Sequence, residues 1–505
     1  MKGVISSGDK LTSKAGAMML ENGGNAYDAI CAAMLTSPLS EPMLTSVAGG
    51  GFLLSHGEDK GAELFDFFVD VTPNRCEQKD FFPIGVDFGT TVQEFHIGNA
   101  SVAVPGVLKG IYEIHKEKGR LPLSDIIKPA YDLARDGFYL SKMQAHFIQL
   151  LEPILMSSES SKKLYTKNGE LIDHSHKFSN PDYAEFLKEF AKKGDSIFYD
   201  GAIADSIDKL SRENGGDLRK EDLSTYEIIK REPIDFKFKY YEILTNTPPS
   251  AGGVLIAFAL QLLDKEDLGS FGSIKHISKL VESMVTTSDF RHEHINEFLH
   301  HDGLATILND EKLMHGYFNS FKNRINQWGN TTHVSVLDSD GNAATATTTN
   351  GEGSGVIVPD CGIMLNNMLG EEDLNPHGFF GWPSGVRLPS MMAPTIVLKN
   401  GKPEMVLGSA GSNRIRSAIT QSILNYTVFG HDIAEVCDEK RVHFEKGELF
   451  FEPGFEESLI QKVKEYYPTT VFHDKSVFFG GVNAVTSDLK GGADPRRSGY
   501  VEIVK

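Results

Sequence analysis

The residue pattern changes near position 330, and this change constrains the fold more than any other feature of the chain. Before it, apolar residues recur at helical spacing, as in the segment that follows Asn25. After it, short β-branched runs alternate with Asp-Gly-Asn and glycine-rich turns, which predicts strands over 333–337, 343–349 and 355–358. Helices followed by strands favour an α+β fold over alternating βαβ units.

Local signals place several of the helices. Two helices are expected to open the chain, and Asn25 is a suitable N-cap for the second, with Asp28 placed where a carboxylate favours a helix start. A further helix is predicted from an N-cap at Ser124 to a glycine stop at Gly137. Another helix is predicted over 254–263.

Composition excludes several classes of function. Of the 505 residues, 40% are hydrophobic and 24% charged, which is typical of a globular protein. The 50 basic and 69 acidic residues give a net charge of −19, so nucleic-acid binding is not expected. No stretch reaches the roughly 20 apolar residues that cross a bilayer, and membrane insertion is not expected. The first residues lack the apolar core of a signal peptide, which predicts a cytoplasmic location.

Neither the cysteines nor the histidines predict a metal site. The cysteines form no CxxC pair and are expected to be buried free thiols: Cys31, Cys76, Cys361 and Cys437. Four histidines surround Glu293 without matching a zinc motif: His292, His294, His300 and His301. No metal ligand and no cofactor are therefore predicted.

The segment Asn330-Thr331-Thr332-His333 contains a candidate nucleophile. Cleavage between Asn330 and Thr331 would leave Thr331 with a hydroxyl and a free α-amine on the same residue. An α-amine titrates near ~8, so at neutral pH a usable fraction can take the hydroxyl proton. One residue would then supply both nucleophile and base. The alternative is that this segment is only a β-branched strand.

Motifs along nearly the whole chain resemble those of the γ-glutamyltranspeptidase family of self-processing N-terminal-nucleophile hydrolases. In chain order, the matching segments are 23–29, 49–52, 104–106, 248–253, 331–333, 365–367 and 408–414. The resemblance implies an αββα four-layer sandwich, with two stacked antiparallel sheets flanked by helices. It also implies cleavage into a large subunit, 1–330, and a small subunit, 331–505, that share one structural domain.

The resemblance assigns the catalytic group beside Thr331. Thr349 lies eighteen residues later, as the family's accessory threonine does, and its hydroxyl would fix the geometry of the new α-amine or of the nucleophile. Gly411 and Ser412 match the Gly-Gly pair whose backbone amides form the oxyanion hole, with serine replacing the second glycine. The alternatives are a surface threonine and an ordinary turn.

The resemblance assigns substrate binding to Asn350, Glu371, Ser390 and Met391. Glu371 replaces the aspartate that binds the substrate amine, and Ser390-Met391 replaces paired serines that hold the substrate carboxylate. Asn350 matches the family's asparagine only if one residue is deleted before it.

The family's carboxylate-binding arginine is missing from this chain. The corresponding segment reads Asp66-Phe67-Phe68, and the nearest arginine is Arg75. The glutamine that follows the family's Asn-Asn pair is Met368 here. A buried carboxylate without its guanidinium partner is costly, so the preference for a γ-glutamyl group is expected to be weaker. A more apolar acyl group, or one without the α-carboxylate, would fit better.

The loop over 376–383 is short and aromatic, whereas lid-bearing relatives have about ten more residues here. A missing lid would open the cleft and favour hydrolysis over transfer. The alternative is that the aromatic residues only pack an interface.

These expectations describe a γ-glutamyltransferase or hydrolase that acts on glutathione-type amides, with water or a peptide amine as acceptor. The two subunits would stay associated as a heterodimer that pairs further. Two alternatives stay open: an acylase of non-glutamyl amides such as β-lactam side chains, and a non-cleaving binding or scaffold protein.

Overall fold

The structure, a computed structural model, describes residues 1–57, 61–74, 77, 79–87, 92–295, 299–300, 304, 308 and 330–505. Two antiparallel sheets lie face to face, and helices pack on the outer face of each. The predicted α+β class and the αββα layering are therefore confirmed.

The strands are named in chain order. They are β1 (Gly3–Ser7), β2 (Gly50–Gly57), β3 (Gly61–Phe67), β4 (Phe82–Asp87), β5 (Val92–Ile97), β6 (Phe138–Tyr139), β7 (Thr166–Lys167), β8 (Glu170–Leu171), β9 (Lys177–Phe178), β10 (Ile229–Arg231), β11 (Ile234–Phe238), β12 (Tyr241–Thr245), β13 (Thr332–Asp338), β14 (Ala343–Thr349), β15 (Ile357–Val358), β16 (Ile363–Met364), β17 (Thr395–Lys399), β18 (Lys402–Ala410), β19 (Val442–Glu445), β20 (Glu448–Phe451), β21 (Thr469–Val471), β22 (Gly481–Thr486), β23 (Gly491–Ala493) and β24 (Tyr500–Val504).

The α-helices are named in the same way. They are α1 (Lys10–Glu21), α2 (Ala26–Ser40), α3 (Val107–Lys118), α4 (Leu123–Ile126), α5 (Lys128–Asp136), α6 (Lys142–Leu150), α7 (Glu152–Leu155), α8 (Glu159–Tyr165), α9 (Pro181–Lys193), α10 (Ser196–Tyr199), α11 (Ala202–Glu213), α12 (Lys220–Ser224), α13 (Ala251–Asp264), α14 (Ile274–Phe290), α15 (Arg414–Thr427), α16 (Ile433–Asp438) and α17 (Glu457–Lys464). A π-helical turn, Arg291–Ile295, continues α14.

Both sheets contain strands from each side of residue 330. The first has the order β10-β3-β2-β14-β13-β1-β24, so β13 and β14 lie in its centre between β2 and β1. The second has the order β11-β12-β17-β18-β22-β23, in which β12 pairs with β17. The segments before and after residue 330 are therefore interleaved in one structural unit.

Strand alternation divides the apolar side chains between two layers. In β2, Leu53 packs in the core under α2 and α3, whereas Phe52 and Leu54 pack in the core between the two sheets. Successive side chains of a strand point to opposite faces, so a strand in the middle of the sandwich must be apolar on both faces.

The local helix predictions hold with one correction. The Asn25 side chain accepts hydrogen bonds from the backbone N–H groups of Tyr27 and Asp28 at 3.0 Å, so α2 begins where predicted. The predicted N-cap at Ser124 is wrong, because Pro122 precedes the short α4 and a second helix, α5, starts at Lys128. Pro129 lacks the N–H that would continue α4, but it fits the first turn of a new helix.

In the described part of the chain, no helix has the length and apolar character needed to span a membrane. Cys31, Cys361 and Cys437 are buried free thiols, as predicted, and Cys76 lies outside the described residues.

Candidate active site

A cavity of about 170 Å³ opens where β13 begins and β14 ends. Most of the residues that the sequence assigns to a site line this cavity: Asn330, Thr331, Thr349, Glu371, Ser390, Met391 and Ser412. Asn330 and Ser412 lie 412 minus 330, or 82, positions apart in sequence, yet both line this cavity.

The β13–β14 hairpin places the two threonines together. Thr332 pairs with Thr348 in the antiparallel ladder, so Thr331 and Thr349 are neighbours at its open end. The Thr349 hydroxyl donates a hydrogen bond to the Asn330 carbonyl oxygen at 2.5 Å. In turn, the Gly351 backbone N–H donates to that hydroxyl at 3.0 Å. Thr349, the predicted accessory threonine, therefore polarises the carbonyl of the bond predicted to be cut.

Two further contacts hold the same backbone. The Arg497 guanidinium donates to the Thr331 carbonyl oxygen at 3.4 Å. The Asn330 backbone N–H donates to the Glu352 carboxylate. The peptide link between Asn330 and Thr331 is thus fixed by groups on both sides, which is the condition for an intramolecular attack.

His333 is a structural residue. Its ring lies between the sheets, where Nδ1 contacts the Thr347 hydroxyl at 2.8 Å and Nε2 contacts the Ser335 hydroxyl at 3.0 Å. Burial lowers the pKa of His333 to about 3, so the ring is neutral. It therefore joins the hydroxyl network of the core, and its protonated form plays no part at neutral pH.

The predicted oxyanion loop joins β18 to the N-terminus of α15. Gly411 has φ +110° and Ser412 has φ +48°, a left-handed conformation that a serine adopts at some cost. The Ser412 hydroxyl donates to Asp373 at 2.7 Å, which fixes the loop against the cavity wall. A helix N-terminus presents backbone N–H groups and favours negative charge, so this loop suits a developing oxyanion.

Three carboxyl groups gather at one side of the cavity. Burial raises the pKa of Glu371, and the charge of Asp373 adds to the effect. Burial also raises the pKa of Glu352 well above its usual range, with repulsion from Glu371. The pKa of Asp373 is raised by burial, although the Ser412 hydrogen bond opposes the change. A cationic group brought into this cavity would relieve the repulsion.

Asn350 is not among the residues that line the cavity, and its role in substrate binding stays a prediction. Asn350 is buried, and its side-chain amide donates to the Leu365 carbonyl oxygen at 3.5 Å. Gly351, at φ +64°, turns the chain immediately after it. The turn brings Glu352 to the backbone of Asn330 instead. Sequence reasoning missed this glutamate, whose signal was an acidic residue in a glycine-rich stretch.

The site predicted to hold the substrate carboxylate is lined by side chains that differ from the family's paired serines. The Ser390 hydroxyl accepts a hydrogen bond from the Met392 backbone N–H at 3.0 Å, and Met391 adds apolar surface. Phe68 lines the cavity and stacks on Phe52 with ring centroids 5.4 Å apart. Arg75, the suggested replacement for the family's arginine, lies outside the described residues.

A guanidinium that the sequence did not assign to the site also reaches the cavity. Arg291 lines it and donates to the Asn413 side-chain oxygen at 2.8 Å. Its charge also lowers the pKa of Asp373, against the larger effect of burial. Its sequence signal was the Asp-Arg segment at 289–291.

The aromatic loop packs against the β4–β5 hairpin. Phe379 lies 4.3 Å from the His96 ring and 5.2 Å from the Phe81 ring, measured between centroids. The indole N–H of Trp382 donates to the Leu374 carbonyl oxygen at 2.8 Å. These aromatic side chains therefore pack an interface, which is the alternative to an open cleft. Within loop 376–383, Pro376 alone lines the cavity.

Among the residues that the structure describes, no group of three or more His, Cys, Asp and Glu side chains is arranged to hold a metal ion. Of the four histidines around Glu293, His301 lies outside the described residues.

The chain is similar to known proteins along nearly its whole length. The family model described as gamma-glutamyltranspeptidase matches residues 12–504. The chain is 28% identical to the glutathione hydrolase proenzyme of Escherichia coli (strain K12), over 90% of this chain and 83% of the relative. It is 29% identical to the acylase ACY 1 proenzyme of Pseudomonas sp. (strain V22), over 97% of this chain and 90% of the relative. The fold matches the crystal structure of cephalosporin acylase from Bacillus halodurans with a TM-score of 0.87, at 21% identity, over 100% of this chain and 96% of that chain.

Proposed function

The chain belongs to the gamma-glutamyltranspeptidase family, and we propose that it is a self-processing enzyme that cleaves γ-glutamyl or related amide bonds through an acyl-enzyme on Thr331. The observation that carries this proposal is the contact between the Thr349 hydroxyl and the Asn330 carbonyl oxygen. The names of the relatives, glutathione hydrolase and acylase, support amides as the substrate class.

Self-cleavage starts at the polarised carbonyl. The Thr331 hydroxyl oxygen attacks the Asn330 carbonyl carbon, the C–N bond breaks, and an ester forms while the nitrogen takes up the hydroxyl proton. Water then hydrolyses the ester, which leaves a carboxylate on Asn330 and restores the Thr331 hydroxyl beside a free α-amine. The products are a chain of 330 residues and a chain of 505 − 330 = 175 residues that remain interleaved.

Turnover reuses the same atoms. The Thr331 hydroxyl attacks the substrate amide carbon while its own α-amine takes the proton and later gives it to the leaving amine. The backbone amides of Gly411 and Ser412 stabilise the oxyanion. Water or a peptide amine then releases the acyl group, and no step in this sequence requires a cofactor.

The cavity favours an acyl group that carries an amine. Glu371 and Asp373 line it, and a substrate ammonium beside them would favour their charged forms, against the burial that raises the pKa of each. The remaining walls include apolar side chains such as Phe68, Leu374 and Met391. This lining supports the second candidate function, an acylase that accepts amides without an α-carboxylate.

A panel of p-nitroanilides separates these substrate classes. The acyl groups are γ-glutamyl, 4-aminobutyryl, which lacks the carboxylate, and butyryl, which lacks both charged groups. We expect 4-aminobutyryl to match or exceed γ-glutamyl in kcat/KM, and butyryl to be slower. A strong preference for γ-glutamyl would show that another group binds the carboxylate.

Denaturing electrophoresis of the purified protein tests the proposal as a whole. Two bands that sum to the intact mass, together with a single uncleaved band for Thr331→Ala, support the enzyme. A single wild-type band that Thr331→Ala leaves unchanged supports the non-cleaving scaffold protein.

Three further features stay predictions. The association of the two subunits after cleavage is tested by gel filtration of the cleaved protein, and a further dimer by its mass in light scattering. The cytoplasmic location is tested by fractionating cells that express the chain.

A further inference from the structure

A buried carboxyl group lies directly behind the nucleophile. Glu41 follows α2, is only 1% exposed, and accepts a hydrogen bond from the Thr332 hydroxyl at 2.7 Å. Its second oxygen accepts from the Thr12 hydroxyl at 3.2 Å. Because side chains alternate along a strand, Thr332 points to the face of the sheet opposite to that of Thr331. Glu41 therefore contacts the residue next to the nucleophile from the helical layer.

The surroundings leave this carboxyl group little freedom. A Cβ atom at Gly8 would lie 2.3 Å from the nearer Glu41 oxygen and 2.9 Å from the Thr332 hydroxyl oxygen, so a larger residue there would displace the groups of this hydrogen bond. Asp9 and Arg497 also face Glu41, the first raising and the second lowering its pKa. Burial is the largest cause, and the pKa of Glu41 rises to about 8.

The first residues of β13 are thus held on two sides. Arg497 donates to the Thr331 carbonyl oxygen, and Glu41 holds the Thr332 side chain. Reacting atoms must approach to about 3–3.5 Å with correct alignment, and a misplacement of about 1 Å costs about a hundredfold in rate. A backbone that places both nucleophile and base needs such restraint.

We propose that Glu41 is a positioning residue for Thr331. By accepting the Thr332 hydroxyl, it fixes the start of β13 and thereby directs the Thr331 hydroxyl and α-amine toward the carbonyl under attack. This inference rests on the proposed function, and it adds a residue that does not touch the substrate or the reacting atoms.

Paired substitutions at both ends of the hydrogen bond test the proposal. Thr332→Val and Glu41→Leu remove the donor and the acceptor, whereas Thr332→Ser and Glu41→Gln retain them. We expect the first pair to slow self-cleavage and to lower kcat about tenfold or more with KM unchanged. The conservative pair should stay within about threefold of wild type. The double variant Glu41→Leu/Thr332→Val should be no slower than the slower single variant, since both remove one shared interaction.

Thr245→Val is the matched control. It removes a buried threonine hydroxyl that contacts the Thr395 hydroxyl at 2.9 Å in the second sheet, away from the cavity. We expect it to lower Tm without slowing self-cleavage. The proposal is overturned if Thr332→Val cleaves and turns over at the wild-type rate, or if Thr245→Val, at a similar loss of Tm, slows self-cleavage and turnover as much as Thr332→Val does. Should wild type itself remain uncleaved, the proposed function fails instead.

Discussion

The Thr349 hydroxyl donates its hydrogen bond to the carbonyl oxygen of Asn330, the residue immediately before the nucleophile. In the uncut chain, this hydroxyl is therefore directed at the bond to be broken. Cleavage turns that carbonyl into a carboxylate, and the same hydroxyl is then available to the Thr331 amine or hydroxyl. One side chain can thus serve both self-cleavage and turnover.

Thr349→Val keeps the shape of the side chain and removes its donor. Because the carbonyl under attack loses its polarising hydrogen bond, we expect self-cleavage to slow by about a hundredfold or more. The accumulation of the two chains on denaturing gels over time measures the rate. Thr349→Ser, which keeps the hydroxyl, is the control, and a valine variant that cleaves at the full rate would contradict the assignment.

Ser412→Gly tests whether the oxyanion loop acts through its backbone. Glycine accepts the left-handed conformation of this position but loses the hydrogen bond to Asp373. We expect kcat to stay within about threefold, since the amide N–H remains. Ser412→Ala loses the bond and keeps the strain, so it should unfold more easily than Ser412→Gly by about 1 kcal/mol. A hundredfold loss of kcat in the glycine variant would instead assign the chemistry to the hydroxyl.

Glu371→Gln tests recognition of the substrate amine. A charged hydrogen-bond partner contributes about 1.5–3 kcal/mol, so KM for 4-aminobutyryl p-nitroanilide should rise about tenfold or more. KM for the butyryl compound, which has no amine, should not change. Glu372→Gln removes a neighbouring carboxylate that is exposed at the same cavity and serves as control. Equal effects on both substrates would rule out an amine contact.

Glu41 should make stability depend on pH. Its pKa is raised from 4.5 to about 8 in the folded chain, so the folded state binds this proton more tightly than the unfolded state. The stability from this group is complete below about pH 4.5 and is lost as pH rises toward 8. Glu41→Gln cannot titrate, and its Tm should fall less than that of wild type over this range. The exposed Glu457→Gln is the matched control, and identical Tm profiles for Glu41→Gln and wild type would contradict the shift.

Gly408→Ala should destabilise the contact between the sheets. The added Cβ atom would lie 2.2 Å from the His333 ring, which hydroxyl groups of Thr347 and Ser335 hold in place. We expect a loss of about 1–3 kcal/mol in the free energy of unfolding by denaturant. Gly57→Ala, whose nearest neighbours lie 3.3 Å away, should lose much less.

Local sequence patterns predicted those parts of the fold that depend on neighbouring residues. The cap at Asn25 was correct because its partners lie two and three residues away. The strand 343–349 was correct in both its bounds because β-branched residues and flanking turns define it. The single helix predicted from Ser124 to Gly137 was wrong because Pro129 divides the segment into α4 and α5, a break that the spacing of apolar residues does not show.

The sequence by itself determined the pair at the centre of the site. The resemblance read from the sequence named Thr331 and Thr349, eighteen residues apart, and the structure places both at the open end of one antiparallel hairpin. Only the tertiary structure decided what surrounds them: Glu41 behind the strand, Glu352 at the cleaved bond and Arg291 in the cavity wall. These groups come from loops and helix ends of separate layers. Their proximity depends on how the two sheets and their helices pack, and a local sequence pattern cannot predict that packing.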